Sequence, residues 1–552
     1  MFHIHFKKFR FSILRAGLAG LLLAATCVVS VGTQSSVVKA DAGEAPYGTA
    51  TQAYEAAISL GDSHTCVIVN GVGNLLCWGI NSYGQLGNGQ SNISGTLVSN
   101  TPTYVMESSA APTTRLSGVI AVAAASNHTC ALLSSGKVKC WGLISSNLLG
   151  RYATYQFATQ AYPEFVKSEF TDAASLAASA DLTNVVAIAT ATYASCALIN
   201  DGTVKCWGEA VGHEGNGVGY VTQCTTPDTA GSCDFTTGLP ISGIKQINMA
   251  GQTSCGLKTD GSMLCWGADN SMFANSSYTS SNSPYPKNAG SSVNGAKAFG
   301  TAQYSQCGLY QNGASSIASV GGTVKCWGAN NSGEIAQPGT TPSSYTANSI
   351  GITNAIAVAG HERSYCALII DGTVKCWGGN TANMFSAATG NAAFYSPTAM
   401  LTGGNPVTGV KALSVGTSHV CLIMGSGAVR CSGSNGQGQL GDGTVTARAT
   451  LTDVVAPVGG GGGSLTGAGA DNVAPVFSSS AVSSDGSKVV LTYNEPLSSS
   501  ELPSTSSFTL KIGGAVTTIA SISVSGSTIE LNLPRRINSS TAVLMSYADP
   551  TN

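Results

Sequence analysis

The chain of 552 residues is 43% apolar and only 9% charged, which excludes a disordered polymer and leaves room for two or three domains with sizeable cores. Its formal charge of −2 gives no electrostatic footprint for nucleic acid. Of its 17 cysteines, all but Cys27 fall into local pairs, which points to an oxidising compartment.

At the N-terminus, Lys7, Lys8, Arg10 and Arg15 precede an apolar run from Ala16 to Val31, and a polar stretch then ends in "VVKA". This pattern predicts a signal peptide over 1–40, cleaved after Ala40. The other reading is an uncleaved anchor, although the run is short against the roughly 20 residues a membrane span needs. Cleavage would remove five cations (those four and Lys39) and take the charge to −7.

From residue 58 onward one phrase recurs seven times, as "HTCVIVNGVGNLLCWG", "HTCALLSSGKVKCWG", "SCALINDGTVKCWG", "TSCGLKTDGSMLCWG", "SQCGLYQNGASSIASVGGTVKCWG", "SYCALIIDGTVKCWG" and "HVCLIMGSGAVRCSG". Seven copies mark a repeat protein. In five copies the cysteines are ten apart, and a glycine (Gly136, Gly202, Gly261, Gly372, Gly427) stands six after the first. That spacing predicts a hairpin with a three-residue loop whose glycine is left-handed. Counting outward from Asn200-Asp201-Gly202 sets Cys196 opposite Cys206. Disulfides are therefore expected for Cys66/Cys77, Cys130/Cys140, Cys196/Cys206, Cys255/Cys265, Cys307/Cys326, Cys366/Cys376 and Cys421/Cys431. The extra residues between Cys307 and Cys326 are expected in a longer hairpin tip. An eighth pair, Cys224/Cys233, would close a surface loop. The spacing is not that of a zinc site.

Ahead of each first cysteine lies another strand, such as Val186 and Ile188 alternating with Ala187 and Ala189, which suits the tapering axis of a ring of blades. After the Trp-Gly, a loop leads to a further apolar stretch, giving about four strands per unit. Trp78, Trp141, Trp207, Trp266, Trp327 and Trp377 all occupy one slot, so blade packing explains them better than a ligand does. The seventh copy has Ser432 there. At the ends, "ATLTDVVAPV" (449–458) is expected to join the first copy and close the ring.

The phrases "CWGINSYGQLGNG" (77–89) and "CSGSNGQGQLGDGT" (431–444), with "HTCAL" and "GTVKCWG", resemble the regulator of chromosome condensation (alpha-tubulin suppressor-like) repeats, in a secreted bacterial version. The resemblance implies an all-β fold with a seven-bladed β-propeller over 41–458. Nuclear members of that family exchange nucleotide on a small GTPase and touch chromatin. No stretch of this chain matches their exchange segment, so none of their functional residues is carried over.

Beyond the repeats, 459–472 read as a Gly-rich linker. Residues 473–552 alternate apolar and polar in short strands, as in a β-sandwich, and resemble the Ig-like repeats of bacterial surface proteins of the swimming-motility type. Such repeats usually run on, so this domain is expected to be incomplete at its C-terminal end.

No cofactor or metal site is read from the sequence. The candidates for chemistry are His64, His128, His361, His419, Glu362 and Arg363; a channel lyase or hydrolase is the alternative reading, and a nucleotide-exchange regulator a more remote one. The main expectation is a secreted or surface-displayed binding protein, monomeric or part of a longer surface protein. Its partner would be a protein or glycan, not nucleic acid, and no transmembrane segment is expected in the mature chain. Tyr152, Tyr155, Phe157, Tyr220, Phe273, Tyr278 and Tyr285, in long insertions after the Trp-Gly, are the candidate partner-binding residues.

Overall fold

The computed structural model describes residues 9–13, 58–69, 73–145, 147–151, 158–168, 179–208, 219–220, 240–251, 253–267, 283–312, 321–385, 392–457, 477–483, 487–493, 508–512, 515–525, 528–534 and 543–547. The chain forms two compact units, residues 37–470 and residues 1–36 together with 471–552.

In the first unit, four consecutive strands make each of seven antiparallel blades. Blade 1 comprises Ile58–Leu60, His64–Val69, Asn74–Ile80 and Val98–Tyr104. The innermost strands of blades 2 to 7 are Val119–Ala124, Val185–Thr190, Ile244–Ala250, Ala296–Ala302, Ala355–His361 and Val410–Val415. They pack on one another in chain order, and the last returns against the first, so the ring is closed. The alternation read for these strands is interrupted: in blades 2 to 7 a one-residue bulge falls at Ile120, Val186, Lys245, Lys297, Ile356 and Lys411. The bulge sets two residues of the inner strand against one of its neighbour and sharpens the local twist, which lets each inner strand bend along the axis.

The second and third strands meet in the register that the cysteines require. In blades 1 to 3, Cys66 lies opposite Cys77, Cys130 opposite Cys140 and Cys196 opposite Cys206. In blades 4 to 7, Cys255 faces Cys265, Cys307 faces Cys326, Cys366 faces Cys376 and Cys421 faces Cys431. Gly202 has φ 82° and donates its N–H back to the Ile199 carbonyl, the conformation a side chain would strain. The seven hairpin pairs are joined sulfur to sulfur, with Cα atoms 4.0 to 4.1 Å apart. The long Cys307/Cys326 copy stays in register out to Gln311 opposite Gly322, so its extra residues fall beyond the ladder, at the tip. Cys224 and Cys233 lie outside the described residues.

Each disulfide packs into the core shared with the following blade, and six of the seven meet that blade's tryptophan. Cys66 and Cys77 meet Trp141, Cys130 and Cys140 meet Trp207, and Cys196 and Cys206 meet Trp266. Cys255 and Cys265 meet Trp327, Cys307 and Cys326 meet Trp377, and Cys421 and Cys431 close the ring on Trp78. Cys366 and Cys376 depart from this pattern: the next blade has Ser432 in the slot, and Met384 and Phe385 share their core instead. All six indoles are buried. Opposite this slot, the fourth strand of six blades carries two extra residues, as where Cys77 pairs Thr103 but Gly79 pairs Ser99.

One expectation is corrected. The strand Arg448–Asp453 belongs to blade 7, paired with Val429–Gly433, and not to blade 1. Every blade holds four strands of its own, so no strand is exchanged at closure. Face packing closes the ring instead: Ile58, Leu60, Val67 and Trp78 share one core with Ala412, Ile423, Leu440 and Val454.

The second unit holds two four-stranded antiparallel sheets. One orders Phe477–Val482, Lys488–Tyr493, Thr528–Asn532 and Ser521–Ser525. Val489, Leu491, Ile529 and Leu531 alternate along its central strands and are buried, as in a sandwich. The other orders Phe9–Ile13, Val543–Tyr547, Phe508–Ile512 and Ala515–Thr517. No helix among the described residues is long and apolar enough to cross a membrane.

Candidate functional site

In a blade of four consecutive antiparallel strands, the turn between strands one and two and the loop between strands three and four leave at the same end. Hydrogen bonds tie them together there: Ile80 N–H donates to the Ser63 carbonyl, Leu143 to Asn127, Gly379 to Arg363 and Ser434 to Ser418. One end of the ring therefore carries the loops that follow strand three, and the hairpins between strands two and three occupy the other.

The loops after the Trp-Gly are built on an asparagine that the sequence reading passed over. Asn81, Asn330, Asn380 and Asn435 accept the N–H of Leu86, Ile335, Phe385 and Leu440 on their side-chain oxygens. Asn435 spends its amide donors on Asp442, Thr444 and Thr446. The signal was present in the sequence as Gly-x-Asn, behind a tryptophan in three copies and behind Ser432 in the fourth. One residue before each anchored N–H, a carbonyl reaches the next blade. Trp141 Nε1 donates to Gln85 O, Trp377 to Glu334 O and Trp78 to Gln439 O, each at 2.9 Å. A Cβ on Gly87 or Gly441 would stand 2.7 Å from the indole nitrogen, which explains the glycine of Gln-Leu-Gly.

The Ser432 seam is filled rather than loose. Ser432 Oγ donates to the Met384 carbonyl at 2.7 Å, the position that accepts the indole elsewhere. Met384 and Phe385, in the loop lacking Gln-Leu-Gly, are buried with Cys366 and Cys376 in the core that joins blades 6 and 7.

The hairpin cysteines stand apart from any chemistry at the loops. Cys255, Cys265, Cys307, Cys326, Cys366 and Cys376 are buried and oxidised, like the other described pairs, so none offers a thiolate to a substrate or a metal.

His64, His128 and His419 have a structural place. His419 Nε2 meets Thr65 Oγ1 and His64 Nε2 meets Thr129 Oγ1, both at 2.9 Å, while His128 Nε2 meets Ser195 Oγ at 2.8 Å. Thr65 and Thr129 donate their own protons to Gln439 O and Gln85 O, so His419 and His64 must be the donors at Nε2. Burial pushes His64 down to about 4, with Asp62 opposing. It pushes His128 to about 3, helped by the charge of His64. His419 also falls to about 3, through burial and then His361 and His64, against Asp62. Neutral and completely buried, these rings are beyond the reach of a substrate.

At the channel mouth, register aligns Asp62, Ser126, Thr192, Gly251, Gln303, Glu362 and Thr417, one from each blade's inner turn. Ser126 Oγ donates to Asp62 Oδ2 at 2.5 Å, and Thr417 Oγ1 to Oδ1 at 2.7 Å. Burial raises the Asp62 carboxyl, but nearby His361, the two hydroxyls and His64 outweigh it and hold it below the usual range. Asp62, His361 and Glu362 each bring a ligand-type atom within 4.8 Å of the other two. His361 and Glu362 stood together in the sequence; Asp62 joins them only through the ring.

Of the aromatic candidates, Tyr152, Tyr155, Phe157, Phe273 and Tyr278 lie outside the described residues. Tyr220 and Tyr285, expected in loops, fall on fourth strands of blades 3 and 4, at Gly219–Tyr220 and Ser283–Asn288. On the loop-bearing end, the described residues expose Ile93, Tyr193 and Val445, at 49%, 49% and 53%.

Comparison with known proteins agrees with this architecture. The regulator of chromosome condensation (RCC1) repeat matches residues 72–132, and a second form of it matches 56–85, 119–147 and 410–439. The SWM repeat, a flagellar system-associated repeat, matches 470–552. Among solved structures, yeast RCC1 (Prp20) bound to Kap60 is 17% identical, with a TM-score of 0.52 over 77% of this chain and 90% of its own. Human WBSCR16 is 15% identical, with a TM-score of 0.51 over 72% and 95%. These likenesses establish the propeller fold.

Proposed function

We propose, for a chain that carries RCC1 repeats ahead of an SWM repeat, that it is a secreted or cell-surface binding protein whose disulfide-stapled propeller takes a protein or glycan on its loop-bearing end. Residues 1–40 would be removed as a signal peptide, which takes the edge strand Phe9–Ile13 out of the second unit's sheet. Residues 459–472 would link the propeller to an Ig-like sandwich domain, 473–552.

In each blade the third strand ends at the same end of the ring, and four of the loops that leave it are anchored by a buried asparagine, which carries this reading. Anchored bases hold the loops in place before a partner arrives, which lowers the entropy cost of binding. Exposed Ile93, Tyr193 and Val445 among Ser, Gly and Asn give an apolar and adaptable surface. The disulfides suit an extracellular compartment.

The test is capture of cell-surface proteins and glycans by the full chain, followed by alanine variants. Substitutions at Tyr152, Tyr155, Phe157, Tyr193, Phe273 or Tyr278 should include a few anchors costing about 2 kcal/mol or more each. Retention of full affinity by every loop variant would defeat the reading. A channel lyase or hydrolase is the second reading, favoured by the meeting of Asp62, His361 and Glu362. It requires turnover that is lost on substituting His361, Glu362 or Arg363 and spared by changes at the loop tips.

A further inference from the structure

We infer that Asp62, His361 and Glu362 form a divalent transition-metal site at the loop-bearing mouth of the central channel. One imidazole and two carboxylates make a mixed nitrogen and oxygen set, which suits Zn²⁺ or Mn²⁺ better than the all-oxygen shells of Ca²⁺ and Mg²⁺. Their ligand atoms lie within 4.8 Å of one another. Ligands of a tetrahedral zinc stand roughly 3.4 Å apart, so the three side chains must close in by up to about 1.4 Å. All three are half-buried, Asp62 and Glu362 at inner turns and His361 at the end of its strand.

The surroundings are those of ligands held for an ion. Thr417 Oγ1 donates to Asp62 Oδ1 and lies 3.4 Å from His361 Nδ1, so one hydroxyl orients two of the three ligands. Ser126 orients the other Asp62 oxygen, and outer partners of this kind fix ligand geometry in metal sites. Among the described residues neither carboxylate has a Lys or Arg partner at ion-pair distance.

Two buried imidazoles face the same turns. A Cβ on Gly61 would stand 2.8 Å from His64 Nδ1, and one on Gly416 would stand 2.9 Å from His419 Nδ1. Neither nitrogen has a partner among the described residues. The Nδ1 atoms of His64 and His419 thus face the turns bearing Asp62 and Thr417. Three protein ligands leave a position open toward the channel mouth for water or for an acidic group of a partner.

Because Asp62 comes from blade 1 and His361 and Glu362 from blade 6, a bound ion would span blade 7 and brace both of its seams. This inference does not rest on the binding reading, and its test uses no partner. The full chain is titrated with Co²⁺, followed by its visible d–d bands, and separately with Zn²⁺, followed by the thermal midpoint. One Co²⁺ per chain is expected, with a rise in Tm on Zn²⁺ addition. Asp62→Asn, His361→Gln and Glu362→Gln should each weaken Co²⁺ binding at least tenfold, and Thr417→Val severalfold while sparing every ligand. Metal-free melting curves identify any variant that is misfolded. Absence of Co²⁺ bands, or bands unchanged in folded His361→Gln, would overturn the site.

Discussion

Trp78 donates its indole N–H to the carbonyl of Gln439, 361 residues later, at 2.9 Å. The same carbonyl accepts the hydroxyl of Thr65, which meets His419. First and last blades are therefore joined by the network that joins blades 1 and 2 through Trp141, Gln85, Thr129 and His64.

Trp78→Ala is expected to cost about 3–5 kcal/mol, as for a large buried aromatic. Trp78→Phe should cost about 1–2 kcal/mol, because the carbonyl keeps its bond from Thr65. Urea denaturation of both variants measures this, and equal losses would show that the ring packing kept by phenylalanine is immaterial and that the lost hydrogen bond sets the cost.

The seven hairpin disulfides span 10 to 19 residues. In the chain-entropy model each contributes about 2–3 kcal/mol, so reduction should lower Tm sharply. Non-reducing peptide mapping should recover only pairs within a repeat, Cys224 with Cys233 included. Links between different repeats, such as Cys265 with Cys326 or Cys326 with Cys376, would contradict the register.

Acid should weaken the fold through its buried histidines. The folded-state pKa of His128, about 3, lies below its ordinary 6.5, so the unfolded chain takes the proton first. Its stabilising contribution is complete above roughly pH 6.5 and drains away as pH falls toward 3, by at most about 1.4 kcal/mol per pH unit. Chemical denaturation at pH 7.5 and 5.0 should show a smaller difference in His128→Gln than in the parent. An unchanged difference would assign the acid sensitivity elsewhere.

Asn435→Ala removes an amide that serves four loop groups at a buried position. A cost of about 2–3 kcal/mol is expected, with faster proteolysis near Val445. If the loop keeps its resistance, the asparagine is not its anchor.

The hairpin register, the left-handed glycines and the shared tryptophan slot were legible because each is set within one copy. Closure was not. The strand at 449–458 was visible, but a repeat read along a line does not say where a blade begins, and an unowned strand was given to the wrong neighbour. The phrase "HTC" held both halves of the blade-to-blade bond, the histidine of one copy and the threonine of the next, yet only the ring brings them together. Asp62 was missed for the same reason: its companions lie 299 and 300 residues away in sequence.

That separation of distances has a consequence for how the molecule is assembled. Every described covalent link joins residues at most 19 apart, whereas the clasp from Trp78 to Gln439 is non-covalent and as long-range as the ring itself. Contacts between near neighbours in sequence form early, and distant ones must await the loop between them. Oxidation can therefore finish hairpin by hairpin in an open arc of stapled blades, with the meeting of first and last as the final step. The arc keeps one uncovered blade face at each end until then, so the newly made chain is most exposed to wrong partners just before it closes.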